Sequence, residues 1–171
     1  MSSEDPKRLT SMISAKAIDE IEHWRSKYPV DRKRPPIIAA LKIVQAEHEN
    51  WLREEHMKAV ADYLDVPHIA VFEVATFYTM FHLKPVGKNV ISVCTNLSCM
   101  MCGSEKIVDH LQSRLGIKLG ETTSNGQFSL KEVECMAACG GAPMLEASET
   151  YHENLTPEKV DAILNDLGWE A

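Results

Sequence analysis

The chain lacks a long apolar run. Its longest, Ile69 to Phe81, is interrupted by Glu73 and falls well short of the roughly 20 residues that a membrane-spanning helix requires. No direct membrane insertion is expected. The N-terminus has no apolar core of the signal-peptide kind. Glu4 and Asp5 accompany Lys7 and Arg8, whereas mitochondrial transit segments are poor in acid. Basic charge is also scarce. Eighteen Lys and Arg face 25 Asp and Glu, for a formal net charge of −7, which argues against a phosphate backbone and so against nucleic acid as a partner. There is no G-x-G-x-x-G or Walker loop, so the chain itself is not expected to bind a nucleotide. The cysteine count is five, an odd number without an export signal. Metal-bound or free thiols in a reducing compartment fit this better than a disulfide framework.

The rest of the composition is that of an ordinary globular protein. The 171 residues are 44% hydrophobic and 25% charged, enough for one domain or for a compact domain with a helical extension. Two textures divide the chain. Residues 1–83 read as helical. Ile13, Ala17, Ile21 and Trp24 follow helical spacing, and Leu41, Val44 and His48 share a stripe after Pro35-Pro36. Met57, Val60, Ala61 and Leu64 fall at i, i+3, i+4 and i+7. Pro67 suits the first turn of a fourth helix carrying Ile69, Val74 and Phe77. The run Val74 to Tyr78 is apolar on several sides, so it is read as buried or as lying against a partner.

Lys84-Pro85-Val86-Gly87 reads as a linker, and residues 84–171 alternate strand and helix. Val90–Val93 predicts a buried strand and Ser104–Leu115 a helix with Ile107, Val108, Leu111 and Leu115 inward, stopped by Gly116. After the Asn125-Gly126 turn, Phe128–Val133 predicts a second strand. Met144–Ala147 and Glu149–His152 suggest a hairpin. Thr156 caps a last helix with Pro157 at its first position and Val160, Ile163, Leu164 and Leu167 inward. The expected class is α+β (α/β), with a helix layer on a small sheet.

The chemistry lies in the cysteines. Cys94 and Cys99 are spaced C-x4-C, and Cys135 and Cys139 C-x3-C. Two thiolate pairs suit a [2Fe–2S] centre, which needs two ligands per iron. Most structural zinc sites prefer C-x2-C. Cys94 is expected to end the first strand, and Cys99 to lie in the loop before the helix near Gly103, where unpaired N–H groups favour negative charge. The second pair is set among Ala137, Ala138, Gly140 and Gly141, small residues that let backbone approach a cluster. Met100, Met101, Met136 and Met144 surround the cysteines and are read as a shield from water or a partner contact.

Cys102 keeps other readings open. Cys94-x4-Cys99-x2-Cys102 matches plant-type ferredoxin spacing, with Cys135 as fourth ligand. Cys99-x2-Cys102 also has the spacing of a thioredoxin-like dithiol catalyst at a strand-to-helix junction, or of half a zinc site completed by Cys135 and Cys139. Isolated free thiols are a further reading. Rieske ligation would need histidines beside the cysteines, and His110, the nearest, lies on the following helix. No residue is assigned to catalysis. Glu73 is read as an exposed or hydrogen-bonded residue rather than a proton site.

Several motifs occur in a fixed order: Leu41-x-x-Val44-Gln45, Trp51-Leu52, Val60-Ala61-x-Tyr63-Leu64, Glu73-Val74-Ala75-Thr76-Phe77-Tyr78 and Pro85-Val86-Gly87. Cys94-x4-Cys99-Met100-x-x-Gly103-Ser104, Cys135-x3-Cys139-x3-Pro143 and Leu155-Thr156-Pro157-Glu158 follow. On these motifs the chain, from about Ile38 to Leu167, resembles the 24 kDa, E-type subunit family of respiratory complex I, the NADH–quinone oxidoreductase. The resemblance implies an N-terminal helical bundle followed by a thioredoxin-like [2Fe-2S] ferredoxin domain. It implies that Cys94, Cys99, Cys135 and Cys139 hold one [2Fe-2S] cluster, with Cys102 a bystander. It further implies an oxidoreductase subunit with no complete activity of its own, beside a flavin-bearing 51 kDa, F-type partner in the peripheral arm. There FMN takes a hydride from NADH and exchanges single electrons with the cluster. FMN and NADH belong to that partner, and the expected location is the cytoplasmic face of a bacterial inner membrane. Phe77, Tyr78 and Phe81 are candidate partner contacts, with plain core as the competing reading. Equivalent subunits of NAD-linked hydrogenases and formate dehydrogenases share the motifs. The lack of a further domain after the last helix favours the complex I reading.

Overall fold

The computed structural model describes residues 11–169. The chain divides into two compact units between Pro85 and Val86.

The first unit is helical. Helix α1 (Ala15–Arg25) is capped by Ser14, whose Oγ accepts from the Ala17 N–H at 3.1 Å. The Glu47 carboxylate at the end of α2 (Ile37–Glu47) accepts from both the Ser14 N–H (2.8 Å) and its hydroxyl (2.6 Å). These hydrogen bonds pull the Glu47 pKa down and fix the start of α1 to the end of α2. Helix α3 (Glu54–Leu64) ends at Asp65, which adopts a left-handed conformation (φ 53°) and pairs with Lys33. Helix α4 (His68–Phe77) follows, with Pro67 just before its first turn. Ile21, Leu41, Val44, Val60, Leu64 and Val71 close the core. Each such side chain contributes roughly 1.5–3 kcal/mol on full burial.

Helix α4 turns a different face inward from the one the pattern suggests. Ala70, Val71 and Ala75 are buried, while Ile69 is 65% and Phe77 77% exposed. Apolar residues on several sides of a helix leave no clear period to select a face. Packing selected the side with two alanines, which allow close approach to α3. Trp24 is likewise exposed rather than on the core stripe, and Phe81 is core. Of the three aromatics offered as partner contacts, only Phe77 and Tyr78 are at the surface. Glu73 is exposed and paired with Arg34 at 3.0 Å, which agrees with the bland reading of that residue.

The second unit carries a four-stranded sheet in the order β2-β1-β3-β4. Strands β1 (Asn89–Cys94) and β2 (Phe128–Val133) are parallel, in register from Asn89↔Phe128 to Cys94↔Val133. Parallel neighbours need a crossover, and α6 (Ser104–Leu115) provides it after a short helix, α5 (Leu97–Met101). Strands β3 (Leu145–Ala147) and β4 (Thr150–His152) form the antiparallel hairpin. Its turn residues Ser148 and Glu149 both have positive φ (50° and 62°), the twist that a two-residue hairpin demands. Helix α7 (Pro157–Asp166) is capped by Thr156, which accepts from the Lys159 N–H at 3.3 Å. One sheet face (Ile91, Val93, Phe128, Leu130, Leu145, Ala147) packs on Leu111 of α6 and on Val160 and Leu164 of α7. The α+β class holds. No helix among the described residues is long and apolar enough to cross a membrane.

Gly87, expected in a linker, is pinned to the sheet. Its N–H donates to Ser129 Oγ at 2.7 Å, and a Cβ there would stand 2.7 Å from the Phe128 carbonyl carbon. Backbone cannot swing aside as a side chain can, so Gly87→Ala is expected to destabilise this unit by about 2 kcal/mol. Urea unfolding followed by circular dichroism measures it.

His56 makes the helical unit acid-sensitive. It is buried, its ring lies 3.9 Å from that of His48, and its Nδ1 accepts from the Arg53 N–H at 3.2 Å. Burial first, then the neighbouring His48, hold its pKa down to about 4, against 6.5 for a free histidine. Below pH 6.5 the unfolded chain therefore takes up the proton more readily than the folded one. Stability should fall as pH drops from about 6.5 to about 4, by up to roughly 3 kcal/mol. Urea midpoints across that range should decline in the native chain and decline less in His56→Gln.

Candidate metal centre

Parallel pairing of β1 and β2 brings the two cysteine pairs to one end of the sheet. Cys94 closes β1 opposite Val133, which closes β2, so Glu134 and Cys135 emerge beside it. The Cys94 Sγ lies 3.9 Å from the Glu134 carbonyl oxygen, and the Cys94 N–H donates to the Met144 carbonyl at 3.2 Å. The first pair is thus joined to both ends of the segment that carries the second.

Cys99 is not in a loop. It sits in α5, which Asn96 starts by accepting from the Leu97 N–H at 2.7 Å. Gly103, with φ 93°, separates α5 from α6. A side-chain cap before Cys99 and a left-handed glycine after it allow a helix of five residues. It turns Cys99 inward. Cys94, Cys99 and Met144 form a buried cluster of their own, with Val133, Met136, Ala138 and Ala142 packed against it. Burial, then hydrogen bonding to the Cys94 thiol, push the Cys99 pKa up to about 11. A backbone contact from Met144 opposes the rise, and the nearby Cys139 adds to it.

Cys135 and Cys139 are exposed. Between them Ala137 is held at φ 59°, a conformation costly for a residue with a Cβ, and its N–H points at the Cys135 sulfur at 3.4 Å. Residues Cys139–Gly141 form a 3₁₀ turn. Cys102, at the end of α5, is exposed and outside the buried sulfur cluster. Of the four methionines expected to shield the site, Met144 is buried and Met136 packs against the thiols. Met100 and Met101 are at the surface, Met101 78% exposed.

The donor chemistry fits a two-iron centre. Each iron needs two thiolates, and the sulfurs are gathered pairwise: an interior pair from β1 and α5 and an exposed pair from one loop. Among the described residues no three Cys, His, Asp or Glu side chains stand close enough together to hold a metal ion as they lie. The arrangement is opposite to that of a dithiol catalyst. A reactive thiol has a depressed pKa and is open to solvent, whereas Cys99 is buried with a raised one.

Sequence reasoning did not foresee the left-handed backbone of Ala137 or the bracing of the loop by Asn154 and Leu155, which follow β4. The loop's small residues were visible, but its backbone strain was not.

Residues 21–168 match the family model of the thioredoxin-like [2Fe-2S] ferredoxins. The E-type subunit of the NADH-quinone oxidoreductase of Rickettsia bellii is 45% identical over 141 residues, covering 82% of this chain and 84% of that protein. An E-type subunit of the same enzyme from Rhizobium meliloti is 45% identical over 146 residues, 85% of each. Among solved structures, an NAD+-reducing [NiFe]-hydrogenase in the air-oxidised state superposes with a TM-score of 0.67 at 17% identity. That likeness concerns the fold; it covers 82% of this chain, which spans about a quarter (24%) of the hydrogenase chain. The chain belongs to the thioredoxin-like [2Fe-2S] ferredoxin family.

Proposed function

We propose that the chain is the electron-transfer subunit of an NADH–quinone oxidoreductase and holds one [2Fe-2S] cluster on Cys94, Cys99, Cys135 and Cys139. The observation that carries this reading is the buried Cys94–Cys99 pair sharing one apolar bed with the C-x3-C loop. When bound, the cluster supplies a one-electron store. The chain's own residues do the rest. Met144, Met136 and Val133 keep water from the inner sulfurs. The Ala137 N–H donates toward the Cys135 sulfur at 3.4 Å and so orients it.

Cys94 and Cys99 are both buried, and burial disfavours the Cys99 thiolate when no cation compensates it. Bound iron would take the place of the Cys99 proton, so loading would be favoured by rising pH. FMN and NADH belong to a flavin-bearing, F-type partner, which takes the hydride and exchanges single electrons with this chain. The two units are separate domains in this reading. The helical one offers Phe77 and Tyr78 for contact with the partner, and the assembly lies at the cytoplasmic face of a bacterial inner membrane. The second reading gives the same electron role in another host, an NAD-linked hydrogenase or formate dehydrogenase; the fold shared with the hydrogenase chain is compatible with the first of these. The protein that co-purifies with the native chain distinguishes the hosts.

Cys139→Ser is expected to lose most of its iron and visible absorption, and Cys102→Ser to keep two irons per chain with an unchanged spectrum. Iron assay and absorption of the anaerobically purified variants test this. The reverse pattern would move the ligand set to Cys94, Cys99, Cys102 and Cys135.

A further inference from the structure

The segment that follows β4 folds back onto the second ligand loop. The Asn154 N–H donates to the Gly141 carbonyl at 2.6 Å and the Leu155 N–H to that of Pro143 at 3.0 Å. The strap is itself fixed, since Lys159 Nζ donates to the Asn154 carbonyl at 2.8 Å and Thr156 caps α7. Glu153 lies flat on Gly141. A Cβ at Gly141 would stand 2.6 Å from Glu153 Cβ and 2.5 Å from its carboxyl carbon. The glycine, two residues beyond Cys139, is therefore the space that Glu153 occupies. Consecutive Cα atoms are about 3.8 Å apart, so the carboxylate is held within roughly 10 Å of the Cys139 backbone.

The segment around the loop is acidic, with the Lys159 ammonium, held on the Asn154 carbonyl, as a cation beside it. From Glu132 to Asn154 the chain carries Glu132, Glu134, Glu146, Glu149 and Glu153, and no Lys or Arg. Glu146 acts on Lys131, from which it is separated across the sheet by Ser92. Glu132 accepts from the Thr95 hydroxyl. Glu153 is a carboxylate from outside the loop that lies against its Gly141.

We infer that Glu153 is a positioning residue that holds its charge over the Cys139 turn and so lowers the reduction potential of the cluster. This rests on the ligand set proposed above. A four-thiolate [2Fe–2S] centre carries two negative charges when oxidised and three when reduced. A fixed carboxylate nearby therefore opposes the reduced form more than the oxidised one. The neighbouring surface is exposed, so salt should weaken the effect.

Redox titration of the iron-loaded chain, followed by EPR, tests the inference. Poised at the native midpoint, Glu153→Gln should show about threefold more reduced than oxidised cluster. That is a rise of about 28 mV, at ~59 mV per tenfold for one electron. Glu153→Asp, which keeps the charge, should stay close to the native value, and high salt should narrow the gap between the native chain and Glu153→Gln. A Glu153→Gln protein with full iron and the native midpoint would overturn the inference. So would loss of iron from Glu153→Gln, because the carboxylate would then be a structural prop rather than a charge acting on the electron. A native chain that binds no iron would instead defeat the underlying ligand assignment.

Discussion

The parallel pairing of β1 with β2 is the constraint on which the site depends. Because the strands run in the same direction and end together at Cys94↔Val133, the segments leaving them start side by side. One becomes α5 with Cys99, and the other becomes the loop with Cys135 and Cys139. An antiparallel pair would have sent these segments to opposite ends of the sheet. The crossover through α6 enforces the direction, and the antiparallel pairing of β3 with β1 sets Met144 against the Cys94 backbone. Cysteine pairs that are far apart in the chain are thus carried by segments that leave one end of the sheet. This is the carboxyl end of the strands, where α/β sheets place their ligands.

The sulfurs differ in environment. Cys94 and Cys99 lie in an apolar interior that holds Cys99 protonated without metal, while Cys135 and Cys139 face outward on a loop of small residues. An inner pair braced by secondary structure and an outer pair on a loop fit a centre that must be both held and reached by an electron. Dithiol chemistry at Cys99 and Cys102 would need the opposite, an accessible thiol of low pKa.

Much of the second unit was legible. Ile107, Val108, Leu111 and Leu115 fall at helical spacing on a helix with a polar opposite face, so only one side could be inward. The strand Phe128–Val133 and the Thr156-Pro157 helix start are local signals that tertiary packing did not override. The cysteine pairs were visible as spacing. Other features were not legible for physical reasons. Helix α4 has apolar residues on several sides, so its buried side was decided by which residues let α3 approach. Helix α5 depends on one Asn cap and one glycine, too short a signal to separate from a loop. Gly87 looked like a linker because glycine marks turns and close approaches alike, and only the register of β2 shows which. The contact of Glu153 with Gly141 depends on how the chain returns after a hairpin, which no local pattern encodes.

The most direct test of the central claim is iron and acid-labile sulfide analysis on the anaerobically purified native chain, together with its EPR spectrum after reduction. Two irons and two sulfides per chain, with a rhombic signal from one reduced cluster, are the expected result. A folded chain that carries zinc, or no metal and no signal, would contradict the account.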